Sequence, residues 1–469
     1  MKASVTTAFA IHMTERDDGD ILIFLTGQDE VDEAVSQLID KAADLKSFKQ
    51  SREQLRKLWI LPLYGTLPMS EQLKVFERTP SRNTRKVIVS TNIAETSLTI
   101  PGIVHVIDCG FMKLKAYDPR LGSESLITVP VSKSSANQRA GRAGRYRSGR
   151  AYRLYPESEY ERFREFTTPE LQRCDLAAPI IQLKALGIDN IFRFDFLSAP
   201  PANNLIGTLE LLHALGSLDH NARLATPLGF EMAEFPLHPT HAKALLAADD
   251  FGCTSEMLTI IAMLQVQNVF TTPSNRKMQA DRAKLKFTCI EGDHLTFLNV
   301  YKSFRDKYMR NGKRMQPMVH WCSVNFLNHK ALLRAMQVRE QLSKLLRKFK
   351  RNVELTCTDH VEPILKCLCV AFFANAAKAT FSGDYRHLKS DMSLKVHPTS
   401  VINLYLSNVD EPPPKYIIYN DIVQSKTTYL ARDISVIKCE WLHELVPNYY
   451  EFGTDRQLTN EKRLKLSMN

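Results

Sequence analysis

Residues 20–28 read Asp-Ile-Leu-Ile-Phe-Leu-Thr-Gly-Gln. An uninterrupted apolar run closed by Thr26-Gly27 is the pattern of a strand buried on both faces, as in a parallel sheet. Helical spacing follows over 29–47, and a helix start fits 1–15 upstream. Working outward, Leu61–Leu63, Lys86–Ser90 and Val104–Asp108 read as further short strands, and Ser70 as the cap of a helix carrying Leu73 and Phe76. Strands that alternate with helices predict a parallel α/β sheet. Two strand-like runs, Lys113–Tyr117 and Ser125–Val129, flank the turn-forming Asp118-Pro-Arg-Leu-Gly122 and predict a β-hairpin projecting from that sheet. Ser134–Ala140 then reads as a helix and Ala151–Tyr155 as the last strand.

After Pro156 the pattern turns helical. Leu176–Leu186 ends at Gly187 and residues 203–215 end at Gly216. Residues 222–236, with Thr226-Pro-Leu-Gly229, read as a small turn or wing. Residues 240–347 are mainly helical, clearest over 255–267 and 331–347, with charged linkers at 275–286 and 305–316. Short strand-like runs return at Cys367–Phe373, Tyr416–Val423 and Thr428–Ile437, which predicts a small β-barrel. Residues 448–469 are polar and read as a loose tail. No internal repeat is present.

Composition sets bounds on this outline. At 469 residues the chain is long enough for about three or four compact units. A 44% hydrophobic and 24% charged content is that of a soluble globular protein. The net charge of +11 permits a polyanionic partner without requiring one. Nine cysteines, with no paired CxxC motifs, read as reduced intracellular thiols, mostly buried; Cys367-Leu-Cys369 reads as two alternate positions on one strand face. No run approaches the roughly 18 apolar residues of a membrane span, and residues 1–11 lack the apolar region of a signal peptide. His238 and His241 stand three apart but form no ligand signature, and no HExxH or Ser/His/Asp arrangement is visible.

The chemistry concentrates in Gln138-Arg-Ala-Gly-Arg-Ala-Gly-Arg145. Two glycines allow tight turns, and Arg142 and Arg145, three apart, fall on one face of a helical turn. Arginines so placed stabilise charge on a transferring γ-phosphoryl group, and a glutamine such as Gln138 orients the attacking water. The plainer alternative is a basic patch that only contacts phosphates.

QRAGRAGR resembles motif VI of the DEAH-box helicases of superfamily 2. Ser90-Thr-Asn-Ile-Ala-Glu-Thr-Ser-Leu-Thr-Ile100 resembles that family's motif V, Ile21–Glu30 its motif IV, and Leu63-Tyr-Gly-Thr-Leu-Pro68 the segment that follows. Order and approximate spacing agree, and four such motifs together are far more specific than one. The resemblance runs on through Ile181–Asn190, Ala199-Pro-Pro201, Pro227-Leu-Gly229, Glu291-Gly-Asp-His294 and Ala374-Asn-Ala376, so it covers nearly the whole chain. Among such helicases the sequence looks most like the spliceosome-associated subgroup.

The resemblance implies a second RecA-like α/β domain over 1–156, a winged-helix domain over 157–220, a ratchet-like helical bundle over 221–347, an OB-like β-barrel over 348–447 and a tail over 448–469. It implies an ATP-dependent RNA helicase, using ATP with Mg2+ and acting in pre-mRNA splicing in the nucleus. Partners would be single-stranded RNA held by its backbone and glycine-patch or spliceosomal proteins, with no membrane. Gln138, Arg142 and Arg145 would be catalytic. Phe76 would stack on adenine, although on a helix with Leu73 it would otherwise be called core. Thr99 would lie near the ribose, although Pro101 stands where many relatives carry an acid. Thr91 and Asn92 would grip an RNA phosphate, the alternative being an ordinary helix cap. Thr26 and Gly27 would contact RNA, and Lys113, Lys115 and Arg120 would give the hairpin a cationic face beside it, the alternative being solvated lysines on a sheet extension.

One departure matters. The sequence holds no GxxxxGK[ST] and no DEAH box. The expectation is a chain that lacks the first RecA-like domain and carries one wall of the ATP cleft, with the magnesium ligands on the other. The alternative function is a non-catalytic module that binds RNA or a partner.

Overall fold

The structure is a computed structural model. It describes residues 1–15, 19–47, 56–65, 67–81, 83–96, 99–119, 122–145, 147–266, 268–273, 276–312, 314–358, 360–406, 412–425, 428–447 and 449–450. Two compact units divide the chain: 1–115 with 126–169, and 116–125 with 170–469.

The first unit contains α1 (Lys2–Thr14), β1 (Asp20–Phe24), α2 (Gln28–Ser47), β2 (Lys57–Leu63), α3 (Met69–Leu73), β3 (Thr84–Ser90) and β4 (Ile103–Asp108). The hairpin strands β5 (Phe111–Asp118) and β6 (Ser123–Pro130), whose residues 116–125 count with the second unit, then α4 (Lys133–Ala140), β7 (Arg150–Arg153) and α5 (Glu157–Arg162), complete the run. The five-stranded sheet has the order β2-β3-β1-β4-β7, and every pair in it is parallel. β1 is its central strand. All five of its residues are buried, which is why Ile21–Phe24 shows no alternation. Ile21 and Ile23 face one apolar cluster with Val5, Val31 and Val87, while Leu22 and Phe24 face another with Leu63, Ile88 and Val106.

Two charged residues of β3 are buried. Arg85 is 1% exposed and donates to the carbonyls of Ile11 (3.1 Å) and Glu15 (2.9 Å) at the end of α1. Lys86, also 1% exposed, donates to the carbonyls of Val75 (2.8 Å) and Glu77 (3.0 Å). Buried cations survive here because carbonyl groups at helix and turn ends receive them. The cap expected at Ser70 is not formed. Pro68 is the N-cap and makes no side-chain bond, Leu73 is exposed, and Phe76 belongs to a separate 3-10 turn over Lys74–Phe76. The hairpin is present as a two-stranded sheet of its own, while Arg120 lies outside the described residues.

The second unit continues with α6 (Ala177–Ala185), α7 (Ala202–Ala214), α8 (Leu228–Glu234), α9 (Pro239–Ala247), α10 (Thr254–Leu264), α11 (Lys277–Leu285), α12 (Asp293–Arg310), α13 (Met315–Val324), α14 (His329–Lys348) and α15 (Glu362–Phe372). It ends with β8 (Ala376–Ala379), β9 (Tyr385–His387), β10 (Ser393–Val396), α16 (Val401–Leu406), β11 (Tyr416–Ser425), β12 (Thr428–Val436) and α17 (Cys439–Leu445). The five strands close into a barrel in the order β10-β12-β11-β8-β9 around Tyr385, Leu394, Ile417, Tyr419 and Ile434.

Several expectations are corrected in this unit. Cys367–Phe373 is not a strand: α15 covers all but its last residue, and Ile364, Leu365, Leu368 and Phe372 are buried along with Cys367 and Cys369. The charged residues of the helix, Glu362 and Lys366, both precede Cys367, so the stretch from there on shows no helical period and reads like a strand. The nine cysteines are free thiols, five of them buried, and burial pushes Cys369 up to about 12. Residues 277–285 of the supposed linker are the helix α11, and the second linker's first six residues close α12. The expected wing reduces to a single bridge, Leu218↔Leu224, with 228–234 helical. Tyr449 and Tyr450, assigned to the tail, pack on the helical core, and the Tyr450 hydroxyl donates to the Phe373 carbonyl at 2.5 Å.

Glu291-Gly-Asp-His294 has a structural role. Gly292, at φ +133°, bridges Ser435, and an added Cβ would sit 2.2 Å from the Ile434 carbonyl oxygen. The Asp293 carboxylate accepts from Ser400 Oγ (2.6 Å), Val401 N (2.8 Å) and Ile434 N (2.9 Å), and His294 Nδ1 meets Ser435 Oγ at 2.8 Å. The start of α12 is thereby clamped to the barrel.

Candidate functional site

In a parallel sheet all strands end on the same edge, and loops leaving that edge form the usual ligand crevice. Here Leu63, Ser90, Phe24, Asp108 and Arg153 occupy one register row at the strand ends. Thr26-Gly27 leaves β1 and Thr91-Asn92 leaves β3 immediately beyond that row. The segments singled out from sequence therefore converge because of strand direction.

Glu95 and Arg139 tie them together. Arg139, on the last turn of α4, is 0% exposed. Its Nε donates to Glu95 Oε2 at 2.9 Å, its Nη1 to Asp108 Oδ1 at 2.7 Å and to the Phe111 carbonyl at 3.2 Å. The guanidinium also lies over the Phe24 ring, 4.9 Å from its centre. Burial alone would lower its pKa, but Asp108 and Glu95 outweigh that and hold it above the ordinary value. The second oxygen of Glu95 takes the Ser135 hydroxyl, and its backbone carbonyl takes Arg142 Nη2. Arg139, the first arginine of the run, therefore turns inward, unlike Arg142 and Arg145.

Past Gly141 the chain leaves the helix in successive turns, with Arg142 N–H bonded to the Arg139 carbonyl (3.1 Å) and Ala143 N–H to that of Ala140 (3.0 Å). Arg142 is half-buried. Desolvation lowers its pKa first, the neighbouring charge of Arg145 lowers it further, and Glu95 pulls the other way. Arg145 is exposed and donates to the Thr99 hydroxyl. Arg142 and Arg145 thus lie close enough to repel, an arrangement that an anion would relieve. Gln138 is exposed on α4.

The remaining residues are less uniform. Thr91 is extended, its N–H donating to the Leu63 carbonyl at 3.1 Å. It precedes a 3-10 turn, Asn92–Ala94, without making a side-chain cap bond, and Asn92 is exposed. The ordinary-cap alternative is therefore not what is seen. The Thr26 hydroxyl donates to Glu30 Oε2 at 2.7 Å, so it braces the start of α2 rather than pointing a proton outward. Gly27 lies under Lys113: a Cβ there would come within 2.8 Å of the lysine Nζ. That places an exposed hairpin cation over the β1–α2 turn. Lys115 is exposed two residues on. Phe76 packs, half-buried, against the cluster of Leu63, Val75 and Ala94. Glu95 and Asp108 were not picked out from sequence. An acid near a run of arginines is the available signal, but which arginine it meets depends on the fold.

Comparison with known proteins agrees with this geometry. Residues 3–147 match the helicase conserved C-terminal domain, 208–237 the winged-helix part of the helicase-associated domain, 238–297 its ratchet-like part and 364–449 an oligonucleotide/oligosaccharide-binding fold. A protein of Pongo abelii named probable ATP-dependent RNA helicase DHX35 is 51% identical over 454 residues, 97% of this chain and 60% of that protein. The chain belongs to the DEAH-box helicase family. Its human relative of the same name is 50% identical over 99% of this chain and 63% of that protein. An Arabidopsis thaliana protein named pre-mRNA-splicing factor ATP-dependent RNA helicase DEAH10 is 40% identical over 96% of this chain and 61% of that protein. This DEAH-box chain thus spans about three-fifths of the curated relatives it matches. Its α/β unit is the RecA-like helicase domain, followed by winged-helix, ratchet-like and OB-fold domains. Among the described residues no helix is long and apolar enough to cross a membrane.

Proposed function

We propose that this chain forms the γ-phosphate-sensing and RNA-gripping part of an ATP-dependent RNA helicase that acts in pre-mRNA splicing in the nucleus. The observation that carries the reading is the fixed frame Glu95–Arg139–Asp108, whose Glu95 carbonyl receives Arg142 within electrostatic reach of Arg145. Two adjacent cations, one half-buried, suit the terminal phosphates of ATP, which would arrive with Mg2+ and supply the phosphoanhydride whose hydrolysis drives the cycle. Arg142 and Arg145 would hold the γ-phosphate, Gln138 would position the water, Phe76 would meet the adenine and Thr99, joined to Arg145, the ribose. Thr91 and Asn92, with Gly27 beneath Lys113, would hold the RNA backbone, with Thr26 bracing the turn and Lys115 and Arg120 adding charge. The order of the four domains and glycine-patch or spliceosomal partners belong to the same reading.

In a protein carrying both walls of the cleft, Arg142→Ala is expected to abolish RNA-stimulated ATP hydrolysis while leaving RNA affinity within about threefold. Unchanged turnover would remove Arg142 from the mechanism. A second reading is a module that binds RNA or a partner without turnover. An ATPase assay on the 469-residue chain itself separates the two: substantial hydrolysis contradicts the second reading.

A further inference from the structure

The charge of this chain is concentrated in one place. Residues 302–351 hold fourteen lysines and arginines against only Asp306 and Glu340, while the other 419 residues hold 48 cations and 49 anions. The net charge of +11 is therefore accounted for by the end of α12, Lys313-Arg314, α14 and Lys350-Arg351; α13 carries no lysine or arginine. Such a density repels itself, a cost that a bound polyanion would relieve.

Within that segment α14 orders its cations. Lys330, Arg334, Gln337, Gln341, Lys344 and Lys348 follow one another at steps of four and three, and every one is exposed. At 3.6 residues per turn they share one helix face, a row about 27 Å long. The opposite face is filled by Leu332, Ala335, Leu342 and Leu346, all buried. Arg339, on that face, is turned inward to Thr259 Oγ1 at 2.9 Å. Two of the exposed cations have acidic neighbours: Lys344 lies 3.5 Å from Glu340, and Lys348 is paired with Glu234. Both pairs are largely exposed, so they compete weakly with a polyanion.

We infer that this face of α14 is a second RNA-binding surface, one that contacts the phosphate backbone without reading bases. The row offers four cations and two amides and no apolar or aromatic side chain. A protein partner would need buried anchors, which the row lacks, whereas phosphate and sugar contacts need only these groups. The inference rests on the proposed RNA binding of this chain and adds a surface separate from Thr91, Asn92 and Lys113.

The test uses the full 469-residue chain and its quadruple variant K330Q/R334Q/K344Q/K348Q, titrated with a single-stranded RNA of about 30 nucleotides and with a blunt RNA duplex over a range of salt. The variant is expected to bind at least tenfold more weakly at low salt. Its log–log salt slope should be shallower by about 3 for the single strand, with Tm unchanged. Loss confined to one of the two RNAs identifies whether the row holds single-stranded or duplex backbone. If the original chain binds RNA and the variant keeps the same affinity and slope, the surface assignment is overturned. If polyglutamate binds the row as tightly as RNA does, an acidic protein is its partner and the assignment is likewise overturned. If the original chain binds no RNA, the proposed function fails as well. The α/β variant K113Q/K115Q should weaken binding independently, which keeps the two readings apart.

Discussion

The cations of Arg139–Arg145 and those of α14 are alike in chemistry and opposite in placement. Arg139 is entirely buried between Glu95 and Asp108 and carries the frame, whereas Lys330, Arg334, Lys344 and Lys348 stand on an exposed face that the fold does not use. Arg142 and Arg145 lie between these extremes, tethered to a carbonyl and a hydroxyl and close to each other. Burial thus sorts cations into those that hold structure, those that are aimed and those that are merely presented.

The largest expected effect breaks the buried end of this series. Arg139→Ala leaves Glu95 and Asp108 with uncompensated charge and should destabilise the α/β unit by about 3–5 kcal/mol, read as a lower urea midpoint. A loss under about 1 kcal/mol would show that the frame does not depend on the ion pairs. Arg142→Ala, by contrast, removes a half-buried cation whose Nη2 bonds the Glu95 carbonyl, and should shift stability by about 1 kcal/mol while abolishing turnover in the complete enzyme.

Acid gives the next effect, in the helical unit. His241 and His294 are pushed down to about 4 and about 3 by burial, with His238 adding to the first and His241 to the second. Both are neutral when folded, and the unfolded chain takes up protons below about 6.5. Their contribution is present above that pH and is lost as pH falls towards about 4, by about 1 kcal/mol for each at pH 5.5. Asp433, raised to about 7 by burial, works the other way and gains stability over the same range. Replacing His294 with Asn should flatten the fall in Tm between pH 7 and 5; an unchanged slope would mean that His294 is protonated in the folded state.

A smaller effect concerns the hairpin. Gly27→Ala would press on the end of the Lys113 side chain, which can swing away, so stability should change by less than about 1 kcal/mol. RNA affinity should still fall severalfold as Lys113 is displaced. An unchanged affinity would separate Lys113 from the RNA path.

How legible was this from sequence? The sheet was readable because Ile21–Phe24 and Val104–Asp108 are short, wholly buried and bounded by turns. The position of Thr91-Asn92 beyond a strand end followed from that. α15 was not readable, because its charged Glu362 and Lys366 lie ahead of the apolar run Cys367–Phe373, which by itself does not distinguish helix from strand. α11 reads as a linker because it is short and four of its nine residues are charged. The roles of the three arginines were not separable either. Spacing correctly associated Arg142 with Arg145, but that Arg139 turns inward depends on Glu95 and Asp108, 44 and 31 residues away, and no local pattern contains them.

The presented end of the series should show the least effect on the fold. On an exposed helix face, Lys→Gln and Arg→Gln keep helix propensity nearly constant, and the two ion pairs lost are exposed ones worth less than about 1 kcal/mol each. Relief of repulsion among the neighbouring cations works in the opposite direction. K330Q/R334Q/K344Q/K348Q is therefore expected to unfold within about 1 kcal/mol of the original chain, and slightly nearer to it at high salt. A loss of several kcal/mol would mean that these side chains are built into the helical unit after all. The contrast with Arg139 would then collapse, because cations on an open face and a cation between two buried carboxylates would be holding the fold alike.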